Sequence, residues 1–262
     1  MNIFSLLGFI IATGVFVVGL RLATDNILMF VDFSSAFIVL GGTFAATAIS
    51  FQLNSIGNLF KIFLTHLMGS QKVSYAKNIE ELLKVGETYR KGNSLDEHIN
   101  GTKDHFFKEA LEIVNDGFLA KEEVIGVLED RAANMYYQRA GDAGKIKTLA
   151  QFPPAFGMMG TTIGMIVLLA NLGAADAIKK IGPAMGVCLI TTLYGVAIAN
   201  LVVIPVAENL TEHTKNVNLA NTITVEGIKL ILEKTNPIVM AEKLNSFLLP
   251  KERLDWKEVL NG

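Results

Sequence analysis

Two long stretches without a single charge constrain this chain more than any other feature. QFPPAFGMMGTTIGMIVLLANLGAA lies between Lys147 and Asp176, and IGPAMGVCLITTLYGVAIANLVVIPVA between Lys180 and Glu208. Each exceeds the roughly 20 apolar residues a helix needs to cross a bilayer core. Only a short turn carrying Asp176, Lys179 and Lys180 separates them. The pattern predicts a transmembrane helical hairpin, and its small and hydroxyl residues recur too regularly for a plain anchor.

Two further apolar runs precede it. Ile3 to Leu20 is uncharged up to Arg21, with no basic leader and no small-x-small cleavage site, so it reads as a first span rather than a signal peptide. Residues 21–32 connect it to a second span, Phe33 to Phe51, which holds Gly41-Gly42-Thr43, small residues that let helices approach closely. Between Lys61 and Lys147 the character changes to 13 Lys/Arg and 14 Asp/Glu, with apolar residues at helical spacing (Ile79, Leu82, Leu83, then Phe106, Phe107, Ala110, Leu111). After Glu208 a charged helix runs to about Lys234, Asn236-Pro237 breaks it, and an amphipathic segment follows.

The expected fold is all-α, a polytopic membrane protein with four transmembrane helices and a helical cytoplasmic domain. Its expected division is 1–54 (first helix pair), 55–149 (cytoplasmic domain), 150–207 (hairpin) and 208–262 (C-terminal helices). The two long polar segments hold 20 of the 23 Lys/Arg, so the positive-inside rule places both in the cytoplasm, and both termini with them. Lys179 and Lys180 on the outer side run against that rule.

Composition excludes several classes. A net charge of −2 gives no basis for a nucleic-acid partner. Cys188 is the only cysteine, so no internal disulfide can form, and with four scattered histidines no metal site or cofactor is expected. GDAGKI at 141–146 lacks the spacing and the Ser/Thr of a phosphate loop. No nucleophile–base set is present, so an enzyme is not expected.

Projected on a helix, Pro154, Gly157, Thr161, Gly164 and Leu168 share a stripe, with Gly160 beside it. Cys188, Thr191, Thr192, Gly195 and Ala199 share a face of the next span. Such faces serve helix packing, with threonine hydroxyls bonded back to their own helix. They also suit an ion path. Neither span carries an ionisable residue other than Cys188 and Tyr194, so a chain that conducts ions this way must borrow its carboxylate from another chain.

PPAFGMMGTTIGMIVLL and IGPAMGVCLITTLYGVAIANLVVIPVAENL closely resemble the signature of the MotA/PomA flagellar stator proteins, within the wider MotA/TolQ/ExbB group. LLGFI at the start, FVDFSS and IVLGGT in the second span, Arg90-Lys91-Gly92, and the KLNSFLLPKER tail extend the resemblance over nearly the whole chain. Two spans before the cytoplasmic domain fit MotA rather than ExbB or TolQ. The alternative is an ExbB/TolQ-type energiser of an outer-membrane system, and a third class is a passive scaffold whose threonines only pack.

The resemblance implies an inner-membrane ion-driven motor unit. Five copies would surround a dimer of a MotB/PomB-type single-span partner that supplies an aspartate and grips peptidoglycan, and would push the rotor protein FliG. It implies coupling roles for Pro154 and Pro205, which also suit a helix start and a helix bend. It places Asp32 at the outer ion entrance, where it also suits an N-cap. Arg90 and Lys91 would meet the rotor, although a basic pair before glycine is also an ordinary helix end. The family's acidic position falls on His98, and a one-residue shift restores it at Glu97. Thr161, Thr191 and Thr192 would line the ion path, and their hydroxyls favour Na+ over H+, because sodium needs oxygen ligands in place of its hydration shell.

Overall fold

A computed structural model describes residues 3–67, 73–173 and 177–255, and among them every regular element is helical. Asp176, expected in the hairpin turn, and the end of the chain from Trp256 lie outside the described residues.

The chain divides into two compact units, 1–71 with 141–211 and 72–140 with 212–262. This division groups residues 55–71 and 141–149 with the apolar spans, whereas the charge pattern alone groups them with the polar domain.

The first unit opens with α1 (Ile3–Ala23), a 21-residue apolar helix. A short 3-10 turn, Ile27–Phe30, leads to the second span, which is helical throughout but not uniform. It consists of α2 (Phe33–Ala36), a π-helical turn over Phe37–Gly41, and α3 (Gly42–Ser50). Asp32 is the N-cap, its Oδ2 accepting the Ser35 N–H at 2.6 Å. α4 (Leu53–Leu67) is amphipathic and places Leu59 against Ala143, Ile146, Ala207 and Leu210 in a small apolar core.

The hairpin consists of α9 (Phe152–Asn171) and α10 (Ala177–Ala197), which pack along much of their length. Pro153 and Pro154 fall in the first turn of α9, where no intrahelical N–H is lost. Beyond α10 the backbone widens into a second π-helical stretch, Ile198–Val203, in which the Ile204 N–H reaches back five residues to Ala199. This wide turn sits just before Pro205, whose ring would crowd the carbonyl four residues earlier in a regular helix.

The apolar spans are little covered by the chain itself. Of the 18-residue windows apolar enough for a membrane, only 11%, 22% and 28% are buried, in helical stretches Ile27–Ser50, Lys121–Asn171 and Ile181–Leu232. A shorter apolar helix, Leu7–Ala23, accompanies them. Phe33, Phe37 and Ile49 stand more than four-fifths exposed. So much outward apolar surface requires lipid or other protein chains around it.

The second unit is built on conventional amphipathic helices: α5 (Tyr75–Arg90), α6 (Asp96–Gly101), α7 (His105–Asp116), most of α8 (Lys121–Leu149), most of α11 (Ile204–Leu232) and α12 (Pro237–Asn245). Ile79, Leu82 and Leu83 of α5 meet Phe106, Phe107 and Leu111 of α7, Leu128 of α8, Ile223 and Ile228 of α11 and Met240 of α12 in one core. Asp104 caps α7 through the Phe107 N–H, and Asn236 caps α12 through the Ile238 N–H, with Pro237 at its first position. Gly227 admits the Leu82 side chain, since a Cβ there would lie 2.6 Å from it.

Candidate functional site

The seam between α9 and α10 is made by glycines. A Cβ on Gly157 would lie 2.9 Å from the Thr191 carbonyl oxygen, and one on Gly160 would lie 2.5 Å from the Thr191 side chain. A Cβ on Gly164 would lie 2.5 Å from the Cys188 sulfur. From the facing helix, a Cβ on Gly195 would lie 2.4 Å from the Pro153 carbonyl oxygen and 3.1 Å from the Pro154 Cα. The two backbones therefore touch, which the threefold and fourfold glycine spacing on one stripe makes possible. Gly42 of the second span instead makes room for a side chain, the Phe156 ring.

This close approach brings the expected hydroxyls together. Thr161 Oγ1 is 2.6 Å from Thr192 Oγ1, 3.0 Å from the Cys188 carbonyl oxygen and 3.1 Å from that of Gly157. Thr192 is exposed on the chain and Thr161 half-buried, so the pair lies at the edge of the seam. The two side-chain oxygens and the two carbonyls form a compact group of oxygen donors. Thr191 is different: it is fully buried beneath Gly160, and its hydroxyl bonds the Val187 and Cys188 carbonyls of its own helix. Its geometry is that of packing, with the open face left to Thr161 and Thr192.

Asp32 belongs to the same unit. Its backbone N–H donates to the Tyr194 hydroxyl at 3.2 Å, and that hydroxyl donates to the Phe30 carbonyl. The tyrosine thus ties the connection after α1 onto α10. In the sequence Tyr194 stands out only as an ionisable exception. The available signal was that a phenol in an otherwise uncharged span must find a polar partner. Ser35, one turn beyond Asp32, is fully buried, and its Oγ has no hydrogen-bond partner.

Pro154 packs at the start of the seam, against Gly195. Pro205 is exposed in the first turn of α11, directly after the π-helical stretch. The two prolines thus flank the seam at the beginning of α9 and beyond the end of α10.

In the second unit, Arg90 is the last residue of α5 and Lys91 its C-cap, both exposed. Gly92 adopts φ +75°, its N–H donates to the Tyr89 carbonyl, and the Asn93 N–H reaches that of Thr88. This left-handed stop presents the basic pair at a fixed corner. Glu97 is exposed in the first turn of α6, whereas His98 turns inward, its Nε2 3.0 Å from Thr88 Oγ1. The outward acids at this corner are Asp96 and Glu97. Among the described residues no three His, Cys, Asp or Glu side chains gather as a metal site.

Comparisons with known proteins agree with this architecture. A family model described as the MotA/TolQ/ExbB proton channel family matches residues 98–221. The chain is 33% identical to Motility protein A of Borreliella burgdorferi over 100% of both chains. It is 30% identical to the chemotaxis protein PomA of Vibrio alginolyticus, over 95% of this chain and 96% of PomA. The fold matches a chain in the structure of the flagellar MotAB stator complex from Bacillus subtilis with a TM-score of 0.85, at 23% identity, covering 96% of this chain and 98% of that one. Full-length identity at this level, on a helical fold with long apolar spans, places the chain in the MotA/PomA family of flagellar stator proteins, which are membrane motor subunits and not enzymes.

Proposed function

We propose that the chain is an ion-driven stator subunit that couples inward ion flow to torque on the flagellar rotor. The observation that carries this reading is the hairpin itself. Its seam gathers Thr161, Thr192 and two carbonyl oxygens, and neither apolar span contributes a carboxylate. An ion crossing here needs a negative partner to offset its lost hydration, and a single-span MotB/PomB-type protein would bring one. The uncovered apolar windows support an assembly in which neighbouring copies and lipid surround each chain. Five copies around a partner dimer satisfy that requirement.

In this reading four helices cross the inner membrane, with both termini in the cytoplasm. α1, at 21 residues, is about 31 Å long and reaches across a bilayer core. Asp32 stands at the outer entrance, and Pro154 and Pro205 couple ion occupancy to movement of the spans. The π-helical turn beside Pro205 supports this, because such turns accommodate local rearrangement. Arg90, Lys91 and Glu97 present the charged corner that meets FliG.

The oxygen-rich seam favours sodium over the proton. A proton needs a titratable carboxylate and a water chain, whereas a sodium ion must exchange water for several oxygens. Swimming speed across a sodium series at fixed pH, with and without a proton uncoupler, tests this choice. Dependence on sodium supports it, and full speed in sodium-free buffer rejects it in favour of the proton.

A further inference from the structure

The Tyr194 hydroxyl has two backbone partners, the Asp32 N–H and the Phe30 carbonyl, 162 and 164 residues away in sequence. Both lie in the connection between α1 and the second span. Side chains on a helix lean toward its N-terminus, so the phenol rises from Tyr194 toward the level of Thr192. Two residues separate these positions, about 3 Å along the axis. Ile181, near the tip of the hairpin, is about 16 Å further along that axis. The connection before the second span is therefore pinned at about the depth of Thr192, on another face of α10, and not at the hairpin tip.

At its other end, the Asp32 carboxylate is fixed by the Ser35 N–H at 2.6 Å. Tyr194 anchors the backbone, and the cap orients the side chain. No other hydrogen bond of the Asp32 side chain is needed to set its depth.

We propose that Tyr194 is the positioning residue for Asp32, setting the depth at which this carboxylate meets an incoming ion. The proposal rests on the ion-path reading above and adds to it a specific determinant of ion uptake. Tyr194 does not itself touch the ion. Its loss releases the Phe30 carbonyl and the Asp32 N–H while the ring of a phenylalanine still fills the same space.

The test uses the complete stator complex expressed in a strain lacking its own stators, with swimming speed followed across a sodium series and across a pH series. Tyr194→Phe is expected to keep near-parental speed at saturating ion and to need about five- to a hundredfold more of it for half-maximal speed, the effect of two lost hydrogen bonds. Asp32→Asn should shift the same parameter, and the double variant should match Asp32→Asn. A Tyr194→Phe strain with normal membrane levels and the parental half-saturation overturns the proposal, as does a loss of maximal speed alone. Labelling of Asp32→Cys by an impermeant thiol reagent gives a second readout, the one native cysteine, Cys188, being buried. Adding Tyr194→Phe should raise its rate several-fold, and an unchanged rate overturns the anchoring. If the parental strain follows neither ion series, the ion-path reading fails, and the labelling rates still decide whether Tyr194 holds the connection.

Discussion

Replacing Gly195 by alanine tests the glycine seam directly. The added Cβ would sit 2.4 Å from the Pro153 carbonyl oxygen, 3.0 Å from its carbon and 3.1 Å from the Pro154 Cα. All three are backbone atoms, so no side chain can swing away. To restore ordinary contact the two helices must part by about 1 Å or more, and overpacking of this kind costs about 1–3 kcal/mol. Alanine returns about 0.5–1 kcal/mol through its better helix propensity. The net expectation is a loss of up to about 2 kcal/mol. Thr192 lies less than one turn away, so parting the helices also stretches its 2.6 Å contact with Thr161. Gly186 of α10 is the control, because a Cβ there meets nothing within 4 Å. Both variants can be purified in detergent and unfolded by heat or by SDS titration. Gly195→Ala should unfold earlier than the parent, and Gly186→Ala at the same point or slightly later. Equal midpoints for the two variants would refute the claim that backbone contact holds the hairpin.

Three further outcomes follow from the same geometry. Thr161→Val and Thr192→Val should each raise the sodium needed for half-maximal swimming speed, whereas Thr191→Val should not, because its side chain is fully buried beneath Gly160; equal shifts for all three would contradict the placement of the open face. Arg90→Ala should reduce motility only mildly, since an exposed ion pair is worth about 0–1 kcal/mol, while Arg90→Glu should do worse and recover when an acidic rotor residue is reversed; normal swimming of Arg90→Glu would remove the rotor contact. Single cysteines placed by Ala23→Cys and Asn100→Cys in a Cys188→Ser background should differ in labelling from outside intact cells, the first reacting and the second only after permeabilisation; outside access at 100 would reverse the topology.

Much of the hairpin was legible because helix geometry converts spacing into contact. Gly157, Gly160 and Gly164 recur at intervals of three and four, and the facing Cys188, Thr191 and Gly195 do likewise, so both stripes could be drawn before any coordinate was known. Which threonine faces outward was not legible, since adjacent Thr191 and Thr192 differ by about 100° around the helix and only the partner's position decides between them. The π-helical turns at Phe37–Gly41 and Ile198–Val203 were hidden as well, because a run that is apolar on every side shows no change of period. Tyr194's tie to Phe30 and Asp32 joins residues more than 160 positions apart, and local pattern carries no information about such pairs. The corner at Arg90 was readable from the glycine that follows it, whereas the inward turn of His98 depends on Thr88 one helix earlier.

The most direct measurement of the central claim is complementation with a borrowed carboxylate. A strain lacking stators would receive this chain alone, with its single-span partner, or with a partner whose membrane carboxylate is changed to the amide, and swimming speed would be measured at equal membrane levels. Motility is expected only with the intact partner, rising with the driving ion. Motility restored by the chain alone, or with the amide partner at undiminished speed, would contradict it.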